Sequence, residues 1–210
     1  MDFIEQLQDF VYNLLKDKLS ASFIYHNYNH TSDVVKAVQL LSEQENLSPL
    51  EKEILVVAAW FHDTGYINGF ENHEENSAQI ASEYLSKEGK SAEYIAQVKD
   101  LILVTKYDQL PQTISEKIIK DADFYHFTLP NYCERCELLR GEWEIVKHKQ
   151  ATDLEWANEN VKMLTQCHQY FTPYAIANWQ PLKDKNISLL QEKINQMEEE
   201  NTPKKAKKNK

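Results

Sequence analysis

The stretch SPLEKEILVVAAWFHDTG, residues 48–65, is where the reading of this chain begins. Ser48 is a preferred N-cap, Pro49 stands just inside, where its missing N–H is not needed, and Glu51 follows three residues on. The next run, Ile54 to Phe61, is apolar through eight consecutive residues, which predicts the most buried helix of the fold. Gly65 reads as the C-terminal cap that stops it. At the end of this apolar helix stand His62 and Asp63. Burying an unpaired carboxylate costs several kcal/mol, so Asp63 needs a cation, a hydrogen-bond network or solvent beside it. Where a buried helix surfaces into a loop, both side chains can reach the floor of one cleft.

Outward from this helix the hydrophobic period stays helical. Phe3, Leu7, Phe10, Val11, Leu14 and Leu15 form one stripe, and Val34, Val35, Val38 and Leu41 mark a second helix from about Asn29 to Glu43. Residues 74–87, 91–106, 113–126, 131–149 and 151–169 read as further helices. TGYINGFEN reads as a loop, and NISLLQEKINQMEEE as an amphipathic last helix. With only 4 glycines and 6 prolines, and no convincing strand pair, the fold class is all-α. The expected organisation is a compact helical domain over 1–180, an amphipathic helix over 181–200, and a disordered Lys-rich tail over 201–210.

Composition narrows the function. A formal net charge of -10 at pH 7 argues against a nucleic-acid partner, although PKKAKKNK gathers five of the 23 basic residues at the end. That block reads as a solvated tail. No run approaches the roughly 18 apolar residues of a membrane span, and MDFIEQLQDF has the wrong charge order for a signal peptide. Three cysteines without an export signal suggest reduced thiols, so the expected location is the cytoplasm. Self-association into a homodimer is left open.

A His-Asp dipeptide alone is weak, but its context is not. Upstream, YHNYNHTSDVV sets His26 and His30 four residues apart at a helix start, and downstream KDADFYHF offers Asp121 and Asp123. The order of one histidine, a His-Asp pair and a later aspartate resembles the HD-domain superfamily of metal-dependent phosphohydrolases. That resemblance covers most of residues 20–130 and implies a helical core in which His30, His62, Asp63 and Asp123 hold a divalent ion. YHNYNHTSDV is also similar to the signature of 3′,5′-cyclic nucleotide phosphodiesterases, which implies His26 as proton donor to the leaving oxygen. The later phosphodiesterase motifs and the base-gripping glutamine are not identifiable. HDTGYINGFENHEENSAQIA is similar to small bacterial HD hydrolases at His73, Glu74, Ser77 and Ala78, and LILVTKYD has a counterpart that would set Thr105 and Lys106 near the site. The fourth ligand has two candidates. Asp121 and Asp123 point about 200° apart on a helix; the apolar phase favours Asp121 as inward, whereas the family's Ala-Asp dipeptide favours Asp123.

Two imidazoles and two carboxylates suit manganese, iron, cobalt, nickel or zinc, with magnesium where a phosphate helps. One ion is expected, and a second would need His73 beside Asp63, where a loop histidine is more often a surface residue. In the implied chemistry His26 protonates the departing oxygen, Glu74 orients water and Lys106 takes phosphate charge on a small phosphorylated substrate, a nucleotide being the leading class. The competing readings are a catalytically silent regulatory or scaffold protein and a di-iron oxygenase, which needs more histidines around a second metal than the sequence allows to be placed there. A zinc site from Cys133, Cys136, Cys167 and His168 is disfavoured because the last two are adjacent. The four tryptophans at helical positions read as core or interface rather than as a base-stacking platform.

Overall fold

A computed structural model describes residues 2–201 of the chain, and among them there are helices and no strand. The ten α-helices are α1 (Phe3–Lys18), α2 (Tyr28–Gln44), α3 (Pro49–Phe61), α4 (His73–Lys87), α5 (Ala92–Leu103), α6 (Ile114–Asp123), α7 (Tyr132–Val146), α8 (Asp153–Lys162), α9 (Pro173–Asn178) and α10 (Gln180–Asn201). Their starts are chemically marked. Asp2, Ser48, Thr113 and Thr152 each form a capping box with the glutamate three residues on. Asn27 and Ser91 cap α2 and α5 with their side chains alone.

Helix α3 is the axis of the molecule. All eight residues from Ile54 to Phe61 are buried, and α1, α2, α4, α5 and α6 pack around them. The apolar stripes of α1 and α2 close this first core through Leu7, Val11, Val34, Val38 and Leu41. A second, smaller core lies beyond it, where α7, α8, the turn that follows α8 and α10 bring Tyr132, Cys136, Trp156, Leu164 and Leu190 onto Phe127. Trp60, Trp156 and Trp179 are buried in these two cores and Trp143 is partly buried.

Gly65 does not cap α3. Helix α3 ends at Phe61, and Gly65 lies inside a 3₁₀ turn over Thr64–Asn68, part of the stretch expected to be a loop. Its glycine is needed for space: a Cβ there would sit 1.9 Å from the His73 carbonyl oxygen and 2.7 Å from the Ser77 nitrogen. The start of α4 thus presses directly on this turn, and Ser77 Oγ accepts the Gly65 N–H at 2.8 Å. Two residues nearby have positive φ, Gly69 at 110° and Asn72, the residue before α4, at 53°.

Two other boundaries differ from the periodic reading. The expected helix 151–169 is α8 followed by a wider π turn over Met163–Cys167, and the short α9 was not anticipated. The terminal helix begins at Gln180, earlier than its amphipathic pattern, and packs against α8, α9 and the 3₁₀ turn Tyr125–Thr128. Buried Asn186 joins it there, donating to the carbonyls of Phe127 and Leu129. Apart from Asn201, the Lys-rich tail lies outside the described residues. Among the described residues no helix is long and apolar enough to cross a membrane.

Candidate metal centre

Three helix ends converge where α2 begins and where α3 and α6 stop. His30 is in the first turn of α2, His62 and Asp63 follow the last turn of α3, and Asp123 is the last residue of α6. His30 Nε2 lies 3.3 Å from Asp63 Oδ2 and 3.3 Å from Asp123 Oδ1. His62 Nε2 lies 3.2 Å and 3.5 Å from the same two oxygens. Donors bound side by side to one ion at about 2.1 Å stand roughly 3 Å apart, so this spacing is what a shared cation requires. Among the described residues, His30, His62 and Asp123 are the group whose ligand atoms all fall within 4.8 Å of one another.

The burial of these atoms makes the same demand. His62 Nε2 and Asp63 Oδ2 are buried without a hydrogen-bond partner. His62 Nδ1 faces the Ala59 carbonyl at 2.8 Å, so Nδ1 carries the hydrogen and Nε2 presents its lone pair to the cluster. Burial opposes charge on His30, yet the carboxylates of Asp123 and Asp63 beside it outweigh burial and lift the imidazole to about 9. Burial likewise resists ionisation of Asp63 and Asp123, and the two imidazoles overcome it and hold both carboxyls well below the usual range. A site that draws protons onto two buried imidazoles draws a divalent cation by the same field, releasing those protons on binding. The residues present fit such an ion.

Asp121 and Asp123 serve different partners. Asp121 is fully buried but turned away from the cluster, accepting the backbone N–H groups of Phe171 and Thr172 and the Thr172 hydroxyl, at 2.7 to 3.2 Å. Thr172 in turn caps α9. Helix phase correctly marks Asp121 as inward, and its work there is to anchor the chain that returns after α8.

The flanking residues form the walls of a cavity of about 530 Å³ opening over the cluster. His26 lines it, and Glu142 of α7 grips His26: one carboxylate oxygen accepts the Tyr25 and His26 backbone N–H groups at 2.9 and 3.0 Å, and the other pairs with Nδ1. This contact fixes the ring and leaves Nε2 as its other functional atom. Tyr66, from the 3₁₀ turn, stacks on His26 at 4.6 Å and on His73 at 4.1 Å. His73 is partly buried in the wall rather than on the surface, 3.9 Å from Asp63 Oδ1, with Glu74 3.3 Å from its Nδ1. Thr105 also lines the cavity. Lys106 does not: its ammonium is half-exposed and paired with Glu75, because α5 ends at Leu103 and the turn carries residue 106 away from the cleft.

Several wall residues were not singled out from the sequence. Glu142 lies 116 residues from His26 in the chain, with nothing local to mark it. His126 lines the cavity beside Tyr25, its imidazole held neutral down to about 3 mainly by burial. The local signal was available in KDADFYHF, three residues after Asp123. The cysteines are free thiols, with Cys136 buried, Cys133 partly buried and Cys167 exposed.

Comparison with known proteins agrees with this geometry. Residues 27–128 match the family model for the HD domain. An uncharacterised protein of Clostridium beijerinckii is 33% identical over 101 residues, which are 45% of this chain and 64% of that protein, so the chain spans under two thirds of that relative. Among solved structures, Bacillus subtilis YpgQ, described in complex with ADP, is similar with a TM-score of 0.61 over 95% of this chain and 98% of that one. At 17% identity this last likeness speaks for the fold.

Proposed function

Because residues 27–128 are an HD domain, a family generally of metal-dependent phosphohydrolases, we propose that the chain hydrolyses a phosphomonoester or phosphodiester, with a nucleotide or a related small phosphorylated metabolite as substrate. The observation that carries the reading is that the imidazoles of His30 and His62 each lie 3.2 to 3.5 Å from carboxylate oxygens of both Asp63 and Asp123, with His62 Nε2 and Asp63 Oδ2 buried and unpartnered. These four residues would hold the ion. When bound, it supplies Lewis acidity at the phosphoryl centre and lowers the pKa of the attacking water.

The chain's own residues do the rest. His26, oriented through Nδ1 by Glu142 and stacked on Tyr66, offers Nε2 to the leaving oxygen as proton donor. Glu74 and His73 stand on the Asp63 side of the cavity, where Glu74 can orient water. Lys106 is held by Glu75, so phosphate charge falls instead to Lys147, which lines the cavity with its ammonium over the Phe70 and Trp143 rings. The ADP complex of the YpgQ structure supports a nucleotide as the class to test first. Free cysteines suit a reducing compartment such as the cytoplasm.

The test is metal analysis followed by a panel of nucleotides and sugar phosphates with added manganese. We expect about one divalent ion per chain and phosphate release from at least one nucleotide. His26→Ala should keep the metal and lose about 10² to 10⁴ in turnover on poor leaving groups, and much less on p-nitrophenyl esters. Metal binding with no hydrolysis of any phosphate would instead favour a silent scaffold.

A further inference from the structure

The cavity does not end at the cluster. Its volume of about 530 Å³ is far larger than one phosphate needs. Helix α7 leads from the cluster to the far end. Glu142 on α7 holds His26, and five residues on, a rise of about 7.5 Å, Lys147 closes the helix as its C-cap. There the lining turns basic, with Lys147, Lys149 and Lys162.

Two of these ammonium groups converge. That of Lys147 lies 3.9 Å from the centre of the Trp143 ring and 4.0 Å from that of Phe70, and that of Lys149 lies 5.2 Å from Trp143. Both rings line the cavity, which places the Lys147 ammonium at its wall. Glu159 of α8 pairs with Lys149 at 2.6 Å and offsets one of the positive charges. Burial pulls the Lys147 ammonium below its ordinary pKa, Lys149 pulls in the same direction, and Glu142 opposes both. Contacts with ring faces are worth about 0.5–2 kcal/mol and supply no full counter-charge. In a chain of net charge -10, this is a local excess of positive charge facing a pocket. A ligand of opposite sign stabilises such a gathering.

We propose that the basic end is a second anion subsite, and that the substrate is a phosphate ester whose leaving group carries a second phosphate on a separate carbon. One phosphate lies at the ion and the other at Lys147 and Lys149. The proposal rests on the phosphohydrolase reading for the first phosphate, and it places the charge taken by Lys147 on the second. His26, the donor to the leaving oxygen, is held by the helix that ends at these lysines, so the leaving group runs along α7 to reach them. A monophosphate engages one end only. A pyrophosphate chain gathers both charges at the ion.

The test uses alkane phosphonates, whose C–P bonds resist hydrolysis. The full chain is loaded with manganese and freed of excess, and its metal content is measured. The probes are butylphosphonate and α,ω-diphosphonates with chains of one, three, four and six carbons. By calorimetry, we expect a diphosphonate of three or more carbons to bind about tenfold tighter than butylphosphonate. K147Q combined with K149Q should erase that gap and leave butylphosphonate within about twofold. K87Q makes the same kind of change at exposed Lys87, the last residue of α4, and should leave the gap intact. If the double variant does not fold, each single variant should narrow the gap. With metal bound, three results overturn the proposal. They are no diphosphonate outbinding butylphosphonate, the one-carbon chain binding tightest, or a gap that survives loss of both lysines. A chain that holds no manganese sinks the hydrolase reading instead. The subsite then stands if butylphosphonate binds and K147Q with K149Q abolishes that binding, and falls otherwise.

Discussion

Replacing Glu142 by glutamine keeps the shape of a side chain that holds two backbone N–H groups and one imidazole, and removes its charge. Burial works against ionisation of Glu142, but the hydrogen bonds from His26 and from the two amides prevail, so its carboxyl sits below the ordinary glutamate range. A depressed carboxylate contributes stability above its unfolded pKa of about 4.3, and the contribution is lost as pH falls through the folded value. E142Q should therefore be less stable than wild type at pH 7 by about 1–2 kcal/mol, with the gap narrowing below about pH 4.3. Its turnover should fall about 10- to 100-fold and the alkaline limb of its pH–rate profile should move to lower pH, with metal content unchanged. A profile of unchanged shape in E142Q would reduce Glu142 to a packing role. At this scale the sequence is half legible. The His62-Asp63 pair announces itself because a carboxylate at the end of an eight-residue apolar run is physically odd. The Asp121 and Asp123 pair resists reading because helix phase reports only that a side chain faces inward. Asp121 faces inward to cap a returning segment 50 residues away, and no periodicity encodes that partner.

Elements were legible where caps and stripes agree, and misread where contact between elements decides. Ser48, Pro49 and Glu51 fix the start of α3 to the residue, whereas the helices expected from 113 and 151 begin at Ile114 and Asp153, behind the caps Thr113 and Thr152. Gly65 shows the limit: local chemistry makes a glycine after a helix a cap, while the requirement here is the close approach of α4. Gly65→Ala must push a methyl group into the His73 carbonyl, a backbone atom that cannot rotate aside. We expect a loss of about 3 kcal/mol, seen as a lower Tm, and a displaced His73 and Glu74 at the start of α4. An unchanged melting temperature would show that the turn relaxes freely. Asp121→Ala tests the return of α9 in the same way. It strands the Phe171 and Thr172 amides, so stability should fall by about 2–4 kcal/mol while the metal stays bound. Loss of metal at native Tm would reverse the duties given to the two aspartates.

Over the whole molecule, the first core carries the ligands and the second core carries most of the cavity's far wall. Only the first resembles a known pattern in the sequence, because its ligands stand at helix ends, where spacing and capping are local properties. The second core assembles from α7, α8 and α10, and its relation to the cluster runs through long-range contacts such as Arg135 with Asp33 at 2.7 Å and Glu142 with His26. The ligand-bearing α2, α3 and α6 pack on one another, so an ion among their ends ties the first core together. Binding to the folded chain alone then stabilises it by mass action. At manganese a hundredfold above its dissociation constant the gain is about 2.7 kcal/mol, which for a chain of this size corresponds to a rise in Tm of about 5–11 °C. Protons compete for the same imidazoles, since His30 is raised to about 9 and His62 is raised as well. At fixed manganese the rise should therefore grow between pH 6 and pH 8. His62→Ala should begin from a lower Tm, with Asp63 left buried beside one fewer cation, and should lose the response to manganese. Differential scanning fluorimetry on both proteins, with and without manganese at the two pH values, measures all of this. A wild type indifferent to the metal at pH 8, or a His62→Ala variant that responds as fully as wild type, would remove the ion from the centre of the fold.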